Sequence, residues 1–190
     1  MKHLLALLCI STLLLSSCMK KEGGANEAMM KADSVKNANI ESYRKVIDMM
    51  NTGKMDDMGK YIDDKMVDHQ MMPGQKPGLA GLKEMMMGMH TAIPDMKFTI
   101  NQITADSNTI WALSTMTGTN TGSMMGMPPT GKAINVQAVD IIRLSNGKAV
   151  EHWGFMEEKK MMEQMGMMPH EGPPPAADGN MAPPEMKKGK

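Results

Sequence analysis

Apolar positions along the chain recur with two different periods, and the change of period divides it into two halves. Ile40, Tyr43, Val46, Ile47 and Met50 fall three and four apart, the spacing of one helix face, and Asn51-Thr52-Gly53 ends the run. A second short helical piece, Met55 to Ile62, sets Met55, Met58 and Ile62 on one side. Lys65 to Gln70 reads as extended and Pro73 to Pro77 as a loop. Leu79 to Ile93 is the third helical segment. Its stripe is Leu79, Leu82, Met86, Met89 or His90, and Ile93, and Pro94 closes it. Beyond Pro94 the period falls to two. Lys97 to Ala105 alternates as a strand, Asp106-Ser107-Asn108 turns, and Thr109 to Thr119 is rich in Thr and β-branched residues. A Gly/Pro/Met loop (Thr121 to Gly131) leads into a strand from Ala133 to Leu144. Ser145-Asn146-Gly147 makes a hairpin turn, and Lys148 to Phe155 is the last strand. Glu158 to Gly166 returns to helical spacing. Helices followed by an antiparallel meander imply an α+β domain, with helices packed on one face of a curved antiparallel sheet.

Both ends depart from these periods. Met1 to Ser17 has a basic start (Lys2, His3) and an apolar stretch from Leu4 to Leu15, which is too short to span a bilayer and reads as an export signal. Leu15-Ser16-Ser17-Cys18 resembles the bacterial lipobox, in which the cysteine is lipidated and the chain is cut before it. The alternative is a plain secretory signal with an incidental Cys18. With lipidation, the expected address is the bacterial cell envelope, extracytoplasmic and held to a membrane by Cys18. Residues 18–37 then form a flexible, lipidated tether, and 38–168 form the domain. Pro169 to Lys190, with Pro173-Pro174-Pro175 and a basic terminus, has too little apolar surface to fold and is expected to be disordered. The only other cysteine, Cys9, leaves with the signal, so disulfides, thiol nucleophiles and Cys-ligated zinc are excluded from the mature chain.

Charge and composition narrow the function classes further. Lys and Arg total 21, balancing 21 Asp and Glu, so the basic excess that phosphate contacts require is absent and no nucleic-acid partner is expected. Methionine is the outlier, at 28 of 190 residues beside two each of Phe, Trp and Tyr. Two readings follow. Unbranched Met fills the core where Leu is scarce. Alternatively, Met/His groups such as His69-Gln70-Met71-Met72, Met85 to His90, and Met161 to His170 bind Cu(I) or Ag(I). Among titratable residues, Asp140 shares strand parity with Val136, Ala138 and Ile142, and a carboxylate on such a face needs a partner. His152 shares parity with Val150 and Met156 on the neighbouring strand. The two make either an acid/base pair or a structural one. Arg143 and Trp153 alternate away, the former to an exposed or subunit-interface position and the latter to packing under the C-terminal helix.

Several segments in order carry a family resemblance. They are Val67-Asp68-His69, Pro77-Gly78-Leu79-Ala80-Gly81, Phe98-Thr99-Ile100 after Pro94-Asp95, and Gly118-Thr119-Asn120-Thr121-Gly122. Gly126-Met127-Pro128-Pro129-Thr130-Gly131-Lys132, Val139-Asp140-Ile141-Ile142-Arg143 and Asn146 to Trp153 complete the set. Together they resemble the SnoaL-like polyketide cyclases and ester cyclases of the nuclear transport factor 2-like superfamily, over nearly all of Ala38 to Met168. The resemblance implies a cone-shaped barrel in which a curved sheet wraps N-terminal helices around a small-molecule pocket, with homodimerisation through the sheet. It also implies proton transfer on a carbonyl-type substrate by an acidic residue, with no metal or organic cofactor. The family often places that acid directly after the His-Trp of the last strand, where this chain has Gly154. Asp140 stands where many relatives carry His, and Glu157-Glu158 occupies a third polar position. Asp140 and His152 are therefore the candidate catalytic residues. His69, Trp111, Thr115, Thr117 and Glu157 are the candidate pocket residues, with Thr119 continuing the Thr series.

Overall fold

The computed structural model describes residues 15–166 apart from Pro73 and Met125, with side chains from Gly24 onward. The expected tail from Pro169, the Met167-Met168-His170 run and residues 1–14 of the expected signal lie outside the described residues, as does the side chain of Cys18. Helix α1 (Leu15–Thr52) leads through a short 3-10 helix (Asp56–Lys60) to strand β1 (Ile62–Asp68) and helix α2 (Gly78–Ala92). Strands β2 (Lys97–Ala105), β3 (Thr109–Thr119), β4 (Ala133–Ser145) and β5 (Lys148–Met156) follow, and α3 (Glu158–Met165) ends the described chain.

The amphipathic run that begins at Ile40 forms the C-terminal part of α1. Tyr43 and Ile47 are buried on its inner face, and Gly53, at φ +68, ends the helix in a left-handed conformation. The stretch 18–37, expected as a flexible tether, is helical and continuous with that part. Its composition explains the difference, because Glu27, Ala28, Met29, Met30, Lys31 and Ala32 are good helix formers and no proline interrupts them. Gly24 to Val35 stand exposed, clear of the core.

The sheet has the order β1-β5-β4-β3-β2, with β2 to β5 antiparallel as expected. One edge differs from the expected all-antiparallel sheet. β1 pairs with β5 in parallel, so the sheet is mixed, and it stays open with β1 and β2 as its two edges. Bulges between Ile100 and Gln102 and between Arg143 and Leu144 help to curve it. Asn146 (φ 50) and Gly147 (φ 75) supply the two left-handed residues that a tight β4–β5 turn needs.

One face of this sheet is the core side. Ile110, Ala112, Ser114 and Met116 of β3, and Ile134, Val136 and Ala138 of β4, are buried under the helices. Methionine supplies much of the filling, with Met58, Met116 and Met165 fully inaccessible and Met55, Met66, Met86, Met89, Met96 and Met161 also buried. The β3–β4 loop is tied to the end of α2 through Asn120. The Asn120 side-chain amide donates to the carbonyls of Ala92 and Gly122 and accepts from the Thr130 backbone N–H and hydroxyl. Gly122 passes so close to α2 that a Cβ there would sit 2.0 Å from the Thr91 carbonyl oxygen.

Candidate functional site

Between the core face of the sheet and the three helices lies a cavity of about 530 Å³. Ten of its lining residues are methionines, and its mouth includes the exposed Gln70, Met72, Ser123, Phe155 and Glu158. Four elements deliver polar groups to one part of the wall. Alternation along β4 turns Asp140 inward beside Ala138, and β5 brings His152 next to it, with Nε2 at 3.1 Å from Asp140 Oδ1. From α1, the Tyr43 hydroxyl donates to Asp140 Oδ2 at 2.6 Å. From the end of β1, Asp68 lies opposite His152, its Oδ1 at 3.3 Å from Nδ1. That separation is an ion-pair distance, but the geometry is off the line of a hydrogen bond. Asp68 is itself held by the Gln70 backbone N–H and the Gln75 side-chain amide.

The electrostatics follow from this crowding. Burial alone disfavours the imidazolium, but the hydrogen bond to Asp140 and the nearby charges of Asp140 and Asp68 outweigh it and hold His152 up to about 9. Asp68 is driven up by burial and pulled further down by His152 and the Gln70 N–H, so its carboxyl lies below the usual value. Burial, then the Asp140 charge, raises the Tyr43 phenol well above its ordinary value, so it is a neutral hydrogen-bond donor at physiological pH. An imidazolium thus sits between two carboxylates in the wall of an apolar cavity.

Gly154 is part of the same arrangement. It is the cross-strand partner of Asp140, and a Cβ there would stand 2.7 Å from His152 Cε1 and 3.7 Å from Asp140 Oδ1. The missing side chain leaves room for the imidazole, and Asp140 brings a carboxylate to that spot from the adjacent strand.

A family model describing SnoaL-like polyketide cyclases matches residues 40–165, which carry every group of this site. The chain belongs to that family. This SnoaL-like chain is 24% identical, over 138 residues, to the aklanonic acid methyl ester cyclase DauD of Streptomyces sp. (strain C5), covering 67% of this chain and 81% of the relative. Its fold is that of TsrD from Streptomyces laurentii, with a TM-score of 0.64 at 17% identity over 70% of this chain and 97% of the other. A SnoaL-like polyketide cyclase from Agrobacterium tumefaciens gives 0.57 at 20% identity over 67% and 98% of the two chains.

Of the SnoaL-like candidates expected from sequence, Asp140 and His152 meet in the cavity, and the five proposed pocket residues do not line it. On β3 the inward positions are the even ones, and the odd series with Trp111, Thr115, Thr117 and Thr119 faces the other way. Trp111 is 40% exposed in a shallow outer groove beside Leu113 and Val139. Thr115 bonds Asn101, and Thr119 bonds Asp95. His69 also lies outside the cavity, stacked on Trp153 at 4.3 Å with Nε2 at 3.0 Å from Glu151. Trp153 therefore packs against His69 and the Arg143 guanidinium rather than under α3. Glu157 accepts from the Gln137 N–H and pairs with Lys160 at the start of α3, outside the cavity.

Sequence reading missed Tyr43 and Asp68. Tyr43 looked like core, which its ring is, and only its position opposite Asp140 gives the hydroxyl a role. Asp68 stands within the Val67-Asp68-His69 segment, but its partner depends on the parallel β1–β5 pairing that no local pattern encodes. The methionine groups also separate: Met86 is buried, Met85 half-buried at the cavity and Met87 62% exposed, while His69 and Met72 face different sides. The methionines that do converge are those of the cavity wall.

Proposed function

We propose that this chain binds a carbonyl-type small molecule in the methionine-lined cavity and moves a proton on it through Asp140 and His152, using side-chain groups alone. The observation that carries the reading is the 3.1 Å contact of His152 Nε2 with Asp140 Oδ1 in the cavity wall. Asp140 accepts a proton from carbon next to the carbonyl, and the C–H electron pair moves onto the carbonyl oxygen as an enolate. The imidazolium beside it offsets the negative charge passed to the substrate, while Tyr43 fixes the second carboxylate oxygen. Return of the proton from Asp140 completes the cycle. Asp140→Asn is expected to lower deuterium exchange from solvent into the α-carbon of a β-keto ester probe by about 100-fold or more. Exchange at the wild-type rate would end the proposal.

A second reading, ligand binding without turnover, is favoured by Gly154 at the position where the family often carries its acid. Wild-type protein that binds the probe without exceeding the buffer exchange rate supports that reading over the first.

We also assign the chain to the extracytoplasmic side of a bacterial membrane, held by lipid on Cys18. The lipobox-like Leu15-Ser16-Ser17-Cys18, after a basic start and a short apolar stretch, supports this. Cys18→Ala should move the protein from the membrane to the soluble fraction. The outer sheet face, with Trp111, Val139 and Val67 exposed, supports a homodimer through the sheet.

A further inference from the structure

The cavity carries a charge pattern that proton transfer does not require. Its lining holds three carboxylates, Asp68, Asp140 and Glu158, against the single imidazole of His152, and no lysine or arginine among the described residues. Acidic groups in the lining therefore outnumber basic ones by three to one. The chain as a whole is neutral, so this excess belongs to the cavity and not to overall composition. Apolar walls around it exclude high-dielectric solvent and strengthen its field, which repels an entering anion and attracts a cation. Most of the remaining wall is apolar, and its methionines have unbranched, polarizable side chains that adapt to bodies of different shape. The mouth continues this character, since Met72 and Phe155 are 40% and 51% exposed there beside Glu158.

We propose that the cavity binds lipophilic cations, compounds with a bulky apolar body and a positive charge of the ammonium or phosphonium type, in preference to anions of the same shape. This rests on the reading of the cavity as a ligand site and is independent of whether Asp140 moves a proton. The apolar body occupies the methionine wall, Glu158 meets the charge at the mouth, and Asp68 and Asp140 hold it within.

The test uses three probes of similar shape and different charge. Full-length protein is titrated calorimetrically with tetraphenylphosphonium, tetraphenylborate and uncharged triphenylphosphine oxide. The cation is expected to bind about tenfold or more tightly than the anion. In an Asp68→Asn/Glu158→Gln variant the ratio should fall toward one. Glu158→Gln alone, at an exposed position, should lower it about twofold or more and serves if the double variant does not fold. Equal affinities, preference for the anion, or a ratio unchanged in these variants would overturn the proposal. Binding of the neutral probe without charge preference rejects cation selectivity and keeps the ligand site. No binding of any of the three rejects both.

Discussion

His152 is the residue on which the site's pH behaviour turns. Its ordinary value is 6.5, and the folded protein holds it up to about 9. Because the folded value is the higher, its contribution to stability is full below about pH 6.5 and is lost as pH rises through about 9. A rise of that size is worth about 3 kcal/mol at most, and a melting temperature that falls between about pH 7 and 10 would show it. Asp68 works in the opposite sense. Its folded value lies below the usual one, so its contribution is present above the ordinary carboxylate range and lost as pH falls. Asp68→Asn should therefore lower the His152 titration midpoint, read by NMR of the imidazole carbon protons. An unchanged midpoint would mean that the 3.3 Å approach carries no interaction. Gly154→Ala tests the other neighbour. A Cβ 2.7 Å from His152 Cε1 forces the ring aside, so the same midpoint should drop although no charge has been removed.

At the scale of elements, the β3–β4 loop is tied into the cavity rim by one side chain. Asn120 is fully buried and bonds the end of α2, the loop and Thr130 together, and the same loop carries the lining residues Ser123 and Met124. Asn120→Ala should cost about 2–3 kcal/mol in urea unfolding and speed amide exchange from Thr121 to Gly131. Protection unchanged there would assign the rim's order to other contacts. Elements whose cues are local are the ones legible in the sequence. β2 and β3 keep their expected limits because period-two alternation is bounded by Pro94 on one side and by the Asp106-Ser107-Asn108 turn between them. What was not legible depends on pieces distant in the chain. Alternation in β3 separates Ile110 and Met116 from Trp111 and Thr115, but the packing of helices over the sheet decides which set is inside. Trp111, the largest side chain of β3, is on the outer face, so side-chain size was a poor guide to the core side. Asp140 and His152 were legible as a pair because a short hairpin sets their neighbouring strands side by side. Tyr43, 97 residues from Asp140, had no such link.

For the molecule as a whole, the two sheet faces have separate tasks. The concave face holds the cavity, and the outer face presents Trp111, Val139 and the Trp153–His69 stack to a second copy in the proposed dimer. Trp111→Glu should shift sedimentation from dimer to monomer with the circular dichroism unchanged, and a monomeric wild type would remove the assignment. Methionine serves the inner side of this division, filling much of the core and supplying ten of the residues that line the cavity. The parallel edge has a consequence for how the charged site behaves in time. β1 joins the sheet only through β5, and it brings Asp68 to His152. Edge strands open more readily than central ones. Each opening of β1 takes one carboxylate from the imidazole and weakens its hold on the second proton. Fluctuations of a single strand at the border of the fold are thereby written into the protonation of a residue inside it.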